Sequence, residues 1–234
     1  MNTVILIPSL NPDDKMVDYV ERLSENGFDK IMVINDGSSA EYDSFFERAA
    51  EGGRCVVLKH EVNKGKGAAL KTGMAYYMEH FSGCDGIVTG DADGQHSITD
   101  TLKLAKRLEA EQDALLLGCR DFSQKNVPAR SRFGNRTTSV VFKITHGLWI
   151  SDTQTGLRAI PDALVSSFVN VGGERYEYEM NMLIECARKK IPVREETIET
   201  IYIDDNSGSH FHPVRDSMRI YGLIFRSLFR RKDK

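Results

Sequence analysis

An alternation in the first half of the chain constrains its fold more than any other feature. Short, β-branched apolar runs at 3–8, 30–34, 54–58, 86–89 and 114–118 alternate with stretches of helical spacing at 13–26, 40–50, 67–80 and 97–111. A helix-length segment separates each apolar run from the next, so consecutive strands cannot be joined by tight hairpins. Crossovers of that length make neighbouring strands parallel. Parallel strands are covered by helices on both faces, which accounts for runs that are apolar throughout. The expectation is an α/β fold: one Rossmann-like domain with a mostly parallel central sheet flanked by helices.

The second half is less regular. Segments 136–148, 162–169 and 178–190 read as helices, and 193–203 supplies one or two strands. Trp149, near an apolar helix end, reads as a core residue, with lipid contact as the alternative. No proline- or serine-rich linker and no repeat divides the chain. One domain over 1–214, followed by a basic amphipathic tail over 215–234, is the simplest organisation.

Charge narrows the partners. With 31 Lys+Arg against 34 Asp+Glu, the chain carries −3 and is not a wholesale nucleic-acid binder. The average hides an asymmetry, because the last twenty residues carry +5 and the remainder −8. Apolar residues over 216–229 are interleaved with Arg219 and Arg226, the pattern of an amphipathic helix on an anionic membrane surface. A helix packed on the domain with a charged end is the alternative. Cys55, Cys84, Cys119 and Cys186 are widely spaced, as expected of free thiols in a reducing compartment. The first apolar run is too short for a signal peptide, and no stretch approaches the ~20 residues that span a bilayer. The expected location is cytoplasmic, peripheral to the inner membrane face.

Ligand sites in open α/β sheets lie beyond the carboxyl ends of strands, and three polar clusters fall there. Asn35-Asp36-Gly37-Ser38-Ser39 is either a ligand loop or a turn with a helix cap. Asn63-Lys64-Gly65-Lys66-Gly67 opens a helix, where glycine and lysine suit a phosphate. It is neither a P-loop nor a dinucleotide fingerprint, since Leu70 stands where each requires a small residue. Asp91-Ala92-Asp93-Gly94-Gln95-His96 places two carboxylates one residue apart, enough to share a hard divalent cation with substrate phosphates. Gly94 is too early for an EF-hand loop. Gln95 and His96 either join such a metal shell or cap the next helix.

In this order and spacing, the three clusters resemble glycosyltransferase family 2, whose members have the GT-A fold and are inverting enzymes with nucleotide-sugar donors. Gly118-Cys119-Arg120 and Asp152-Thr153-Gln154-Thr155-Gly156-Leu157-Arg158 resemble segments of the dolichyl- and polyprenyl-phosphate sugar synthase group. The resemblance implies that Pro8, Asn11 and Asp36 line a nucleoside pocket and that Lys66 lies near the base, ribose or phosphates. It implies that Asp91 and Asp93 hold Mg²⁺ or Mn²⁺ against the donor diphosphate of a UDP- or GDP-linked sugar, with Asp93 the main ligand and Gln95 a further one. A polyprenyl phosphate acceptor would be bound by Arg120, Arg130 and Arg132. Asp152 would orient that acceptor, or act as base if the acceptor were a hydroxyl. A saccharide or protein hydroxyl acceptor, and a non-catalytic nucleotide-sugar-binding protein, are the competing readings. Glu177 and Glu179, at the start of a helix, either complement its dipole or contact the donor sugar.

Overall fold

The computed structural model describes residues 1–199 except 125, 126 and 128, together with 222 and 224; for 129 and 130 only the backbone is described. The expectations for the Arg130 side chain and for most of the tail therefore lie outside the described residues. Of the tail, Gly222 and Ile224 are helical, and Ile224 is fully buried in the core.

The strands are β1 (Thr3–Ser9), β2 (Ile31–Asn35), β3 (Val56–Lys59), β4 (Gly86–Thr89), β5 (Leu115–Arg120), β6 (Arg158–Pro161) and β7 (Val193–Ile198). They form one seven-stranded sheet in the order β3-β2-β1-β4-β6-β5-β7. Strands β1 to β4 run parallel, as do β5 and β7, while β6 is antiparallel to both of its neighbours. The helices are α1 (Asp14–Glu25), α2 (Asp43–Ala50), α3 (Lys66–His80), α4 (Ile98–Ala110), α5 (Ala129–His146), α6 (Asp162–Val169) and α7 (Glu177–Lys189). A single 3₁₀ turn, Ala40–Tyr42, precedes α2.

Strand β1 shows why its residues are apolar without a break. Val4 and Leu6 point into a core shared with α3, α6 and α7, whereas Ile5 and Ile7 point into a second core under α1, α2 and α4. All four are completely buried. Each such side chain contributes about 1.5–3 kcal/mol by leaving water, so one charge on either face of β1 would weaken a whole layer. Asp13 caps α1 by accepting the Lys15 N–H at 3.0 Å, and the apolar stripe Met16, Val17, Val20 and Leu23 seats the helix.

One strand escapes the sequence pattern, and one expectation needs correction. Strand β6 does not stand out in the sequence, because its four residues begin with an arginine and run straight through Pro161 into α6. Trp149 is not a core residue: it is 48% exposed, with the Lys143 ammonium 5.6 Å from its ring centroid.

Candidate active site

The carboxyl ends of β1, β2, β4 and β5 share one edge of the sheet, and the loop that precedes antiparallel β6 opens onto the same edge. Pro8 and Asn11, Asp36, Asp91 and Asp93, Arg120, and the 152–157 loop therefore converge there. Lys66 joins them from the first residue of α3.

Beyond β1 and β2 the backbone is fastened by short polar side chains. Asn11 has φ 50°, and its N–H donates to Ser38 Oγ at 2.8 Å. The Ser38 N–H in turn donates to Asn35 Oδ1 at 2.8 Å. Asp36 is 3% exposed and faces inward. Its Oδ1 accepts from the Lys64 N–H at 3.0 Å and lies 2.7 Å from His60 Nδ1, and its Oδ2 accepts from the Gly65 N–H at 2.7 Å. Asp36 thus clamps the loop that leads into α3. Gly65 has to be glycine: its φ is 104°, and a Cβ there would lie 2.5 Å from the Glu174 carbonyl. That carbonyl accepts the Ala68 N–H at 2.9 Å, so part of the α3 N-terminus is satisfied from within the protein.

Lys66 lies between two carboxylates, with Nζ 2.6 Å from Asp91 Oδ1 and 3.1 Å from Glu179 Oε1. Burial works against the ammonium, but Asp91 and Glu179 outweigh it and hold Lys66 above its ordinary value. Burial likewise opposes charge on Asp91, yet Lys66, and then His96 with Nε2 3.4 Å from Oδ2, keep that carboxyl far below the usual range. Asp93 is pushed the other way, first by burial and then by the negative charge of Asp91. Its Oδ1 accepts the Gln95 N–H at 3.0 Å.

This donor set suits a hard cation. Asp91 and Asp93 offer oxygen ligands, and their mutual repulsion would be relieved by a positive charge beside Asp93. Among the described residues, no group of three or more His, Cys, Asp or Glu forms a metal site unaided. Mg²⁺ is commonly held by one or two carboxylates with substrate phosphates completing the shell.

The other half of the edge is built on Arg120 and Asp152. Arg120 Nε and Nη2 donate to Asp152 Oδ2 and Oδ1 at 2.7 and 3.1 Å, a fork-on-carboxylate pair. The N–H groups of Arg120 and Gln154 also donate to this carboxylate, at 3.3 and 3.1 Å. Asp152 is completely buried. Its lone pairs are occupied, which suits a residue that orients Arg120 rather than one that takes a proton. Arg132, exposed on the first turn of α5, donates to the Gln124 carbonyl at 2.9 Å.

Residues 4–164 match the profile of glycosyl transferase family 2. The chain belongs to glycosyl transferase family 2. This glycosyltransferase is 29% identical over 220 residues to the UDP-N-acetylglucosamine–dolichyl-phosphate N-acetylglucosaminyltransferase of Methanococcus voltae, covering 86% of each chain. It is 28% identical over 233 residues to glycosyltransferase AglJ of Haloferax volcanii, covering 97% of this chain and 71% of that protein. Among solved structures, the glucosyl-3-phosphoglycerate synthase of Mycobacterium tuberculosis in complex with UDP superposes with a TM-score of 0.71 at 15% identity, over 97% of this chain and 79% of that one. The fold is therefore GT-A, as the motif order implied.

Three residues of this glycosyltransferase site carry little or no signal in the sequence. His60 is a lone histidine after a strand. Glu179 is one of two acidic residues in the first turn of α7, and the structure divides their roles: Glu177 accepts the N–H groups of Glu174 and Arg175 at 3.1 and 3.2 Å, whereas Glu179 reaches Lys66. Gly156 lies inside the 152–158 motif, but its reason is spatial. A Cβ there would fall 2.2 Å from Asp91 Oδ2.

Proposed function

We propose that this glycosyltransferase moves a sugar from a UDP- or GDP-linked donor to a polyprenyl phosphate at the cytoplasmic face of a membrane. The observation that carries this reading is one shared edge with two chemically distinct halves. Asp36, Lys66, Asp91 and Asp93 form a nucleotide-and-cation half, and the Arg120–Asp152 pair lies across from it at the end of β5. The relatives' names support the acceptor class, since one of them acts on dolichyl phosphate.

In the donor half, Asp91 and Asp93, with Gln95 as a further ligand, would hold Mg²⁺ or Mn²⁺. When bound, the ion supplies Lewis-acid stabilisation for the departing nucleoside diphosphate. Pro8, near the end of β1, and Asn11, whose N–H is held by Ser38, border the nucleoside. Lys66 brings a fixed ammonium to the diphosphate, pre-set by Asp91 and Glu179. Fixed charges of this kind stabilise developing charge without reorganising during the reaction.

In the acceptor half, a phosphate monoester needs no general base, because its second pKa is about 6 and it is largely dianionic at neutral pH. It needs cations and orientation. Arg120, aligned by Asp152, supplies a planar guanidinium at the edge, and Arg130 and Arg132 follow at the start of α5. Attack on the anomeric carbon from the side opposite the diphosphate inverts its configuration.

A second feature supports an acceptor that resides in a membrane. Helix α5 exposes Phe133 (74%), Val140 and Ile144 (79%) along one side, with Arg132, Arg136 and Lys143 interspersed. An apolar stripe edged with cations suits an anionic lipid surface. Among the described residues, no helix is long and apolar enough to cross a membrane.

The test is a panel of UDP- and GDP-sugars with Mg²⁺ or Mn²⁺ and a short polyprenyl phosphate, scored for glycolipid against free sugar. The expected product is a sugar phosphopolyprenol of inverted configuration. Transfer to soluble saccharides but never to the lipid phosphate would overturn the acceptor assignment.

A further inference from the structure

His60 follows β3 and is 6% exposed. Its main-chain N–H donates to the Asn35 carbonyl at 2.8 Å, continuing the β2–β3 ladder past the end of the strand. Both ring nitrogens are engaged. Nδ1 lies 2.7 Å from Asp36 Oδ1, and Nε2 lies 2.9 Å from Thr72 Oγ1 on α3. A carboxylate offers only lone pairs, so Nδ1 carries the hydrogen and donates. Nε2 pairs with the Thr72 hydroxyl.

The partners of His60 are not core side chains but parts that shape the donor half of the edge. Asp36 receives three bonds: one from His60 and one each from the Lys64 and Gly65 N–H groups that lead into Lys66. Without the ring, one oxygen of a 3%-exposed carboxylate loses its side-chain donor. The carboxylate then keeps only its two bonds from the 64–65 backbone, so Asp36 and the loop leading to Lys66 are held less firmly. Thr72, less than two turns beyond Lys66 on the same helix, fixes the ring from the other side.

We propose that His60 is a positioning residue for nucleotide-sugar binding. It sets the rotamer of Asp36, and through it the 63–66 loop, without touching the substrate. The inference rests on the reading that this edge binds a nucleotide-sugar donor.

Side-chain geometry provides a discriminating pair of variants. The amide nitrogen of asparagine can occupy the place of Nδ1 and donate to Asp36, whereas glutamine reaches toward Thr72 and not Asp36. UDP and GDP affinities are measured by calorimetry with Mg²⁺, beside donor KM, kcat and the melting temperature. A hydrogen bond to a charged group predicts that His60→Ala weakens nucleotide binding and raises donor KM by about 10- to 100-fold, with kcat changed far less. His60→Asn should recover most of that loss, and His60→Gln should not. Two outcomes overturn the proposal while the donor-site reading stands: nucleotide affinity unchanged in His60→Ala, or equal loss in all three variants tracking a fall in melting temperature. Failure of the unsubstituted protein to bind either nucleotide would instead remove the donor-site reading, and the proposal with it.

Discussion

Replacing Gly156 with alanine tests how closely the two halves of the site are fitted. The added methyl would lie 2.2 Å from Asp91 Oδ2 and 2.8 Å from both Cγ and Oδ1. Heavy atoms in contact normally lie about 3.5 Å apart, so the carboxylate or the loop must yield by roughly 1 Å. Neither is loose. Asp91 Oδ1 is 2.6 Å from the Lys66 ammonium, and the Gly156 carbonyl accepts the Thr89 hydroxyl at 2.7 Å. The backbone is not the obstacle, because Gly156 is not among the positive-φ glycines. Overpacking of this kind costs about 1–3 kcal/mol. For a chain of this size that corresponds to a fall in Tm of roughly 2–12 °C. A displacement of about 1 Å in a positioned group can cost on the order of 10²-fold in rate.

Scanning fluorimetry and turnover with the preferred nucleotide sugar measure both effects. Gly134 on α5 is the internal control, since nothing lies within 4 Å of a Cβ added there. Gly134→Ala should stabilise by about 0.5–1 kcal/mol through helix propensity and leave turnover intact. If Gly156→Ala turned over within about 3-fold of the unsubstituted enzyme with unaltered nucleotide affinity, the claim that Asp91 needs that space would be wrong.

Arg120→Ala leaves the fully buried Asp152 without its ion partner and should destabilise by about 3–5 kcal/mol in urea unfolding. Asp152→Asn should lower the rate without changing the shape of the pH–rate profile near neutrality, and loss of a limb that the unsubstituted enzyme shows would restore Asp152 as a base. Burial pushes the Cys55 thiol up to about 11 and Cys186 up to about 12, and raises Cys84 and Cys119 as well. A raised thiol pKa means less thiolate, so at pH 8 Ellman's reagent should count no fast thiols until urea exposes all four. Ile144→Glu, at a 79% exposed site, should leave stability within about 0.5 kcal/mol of the original and reduce flotation with anionic liposomes. Undiminished flotation would remove α5 as the lipid-facing surface.

The polar loops at the ends of β1, β2 and β4 were legible because sheet topology requires little more than a strand, a polar turn and a helix in that order. Side-chain pairings were not. Arg120 meets Asp152 across 32 positions, and Lys66 meets Glu179 from the far half of the chain. Local spacing holds no trace of either contact. Both ion pairs exist because tertiary structure brings acidic and basic groups into a partly buried edge, where the desolvation cost selects for pairing. The same cost explains why Asp36 turned inward. A buried carboxylate is satisfied most cheaply by fixed backbone N–H groups, and the 63–65 loop presents two of them.

The least legible element, β6, is the one that joins the two halves. Every other functional loop on this edge follows a strand, as expected for parallel strands. The 152–157 loop precedes its strand, and it reaches the same edge only because β6 runs antiparallel between β4 and β5. A parallel β6 of four residues would have carried that loop to the opposite edge, roughly 13 Å away at about 3.3 Å per residue. Register completes the placement. Thr89 pairs with Arg158, so Gly156 falls beside the first residues after β4, where Asp91 is. Arg158, only 1% exposed, then donates to the Thr155 carbonyl at 3.0 Å and the Glu179 carbonyl at 2.8 Å, which ties the 152–157 loop to α7, whose Glu179 holds Lys66. An arginine opening a four-residue strand looks like surface in a sequence. In the fold it is the buried tie through which the Asp152 and Lys66 sides of the edge share one rigid support.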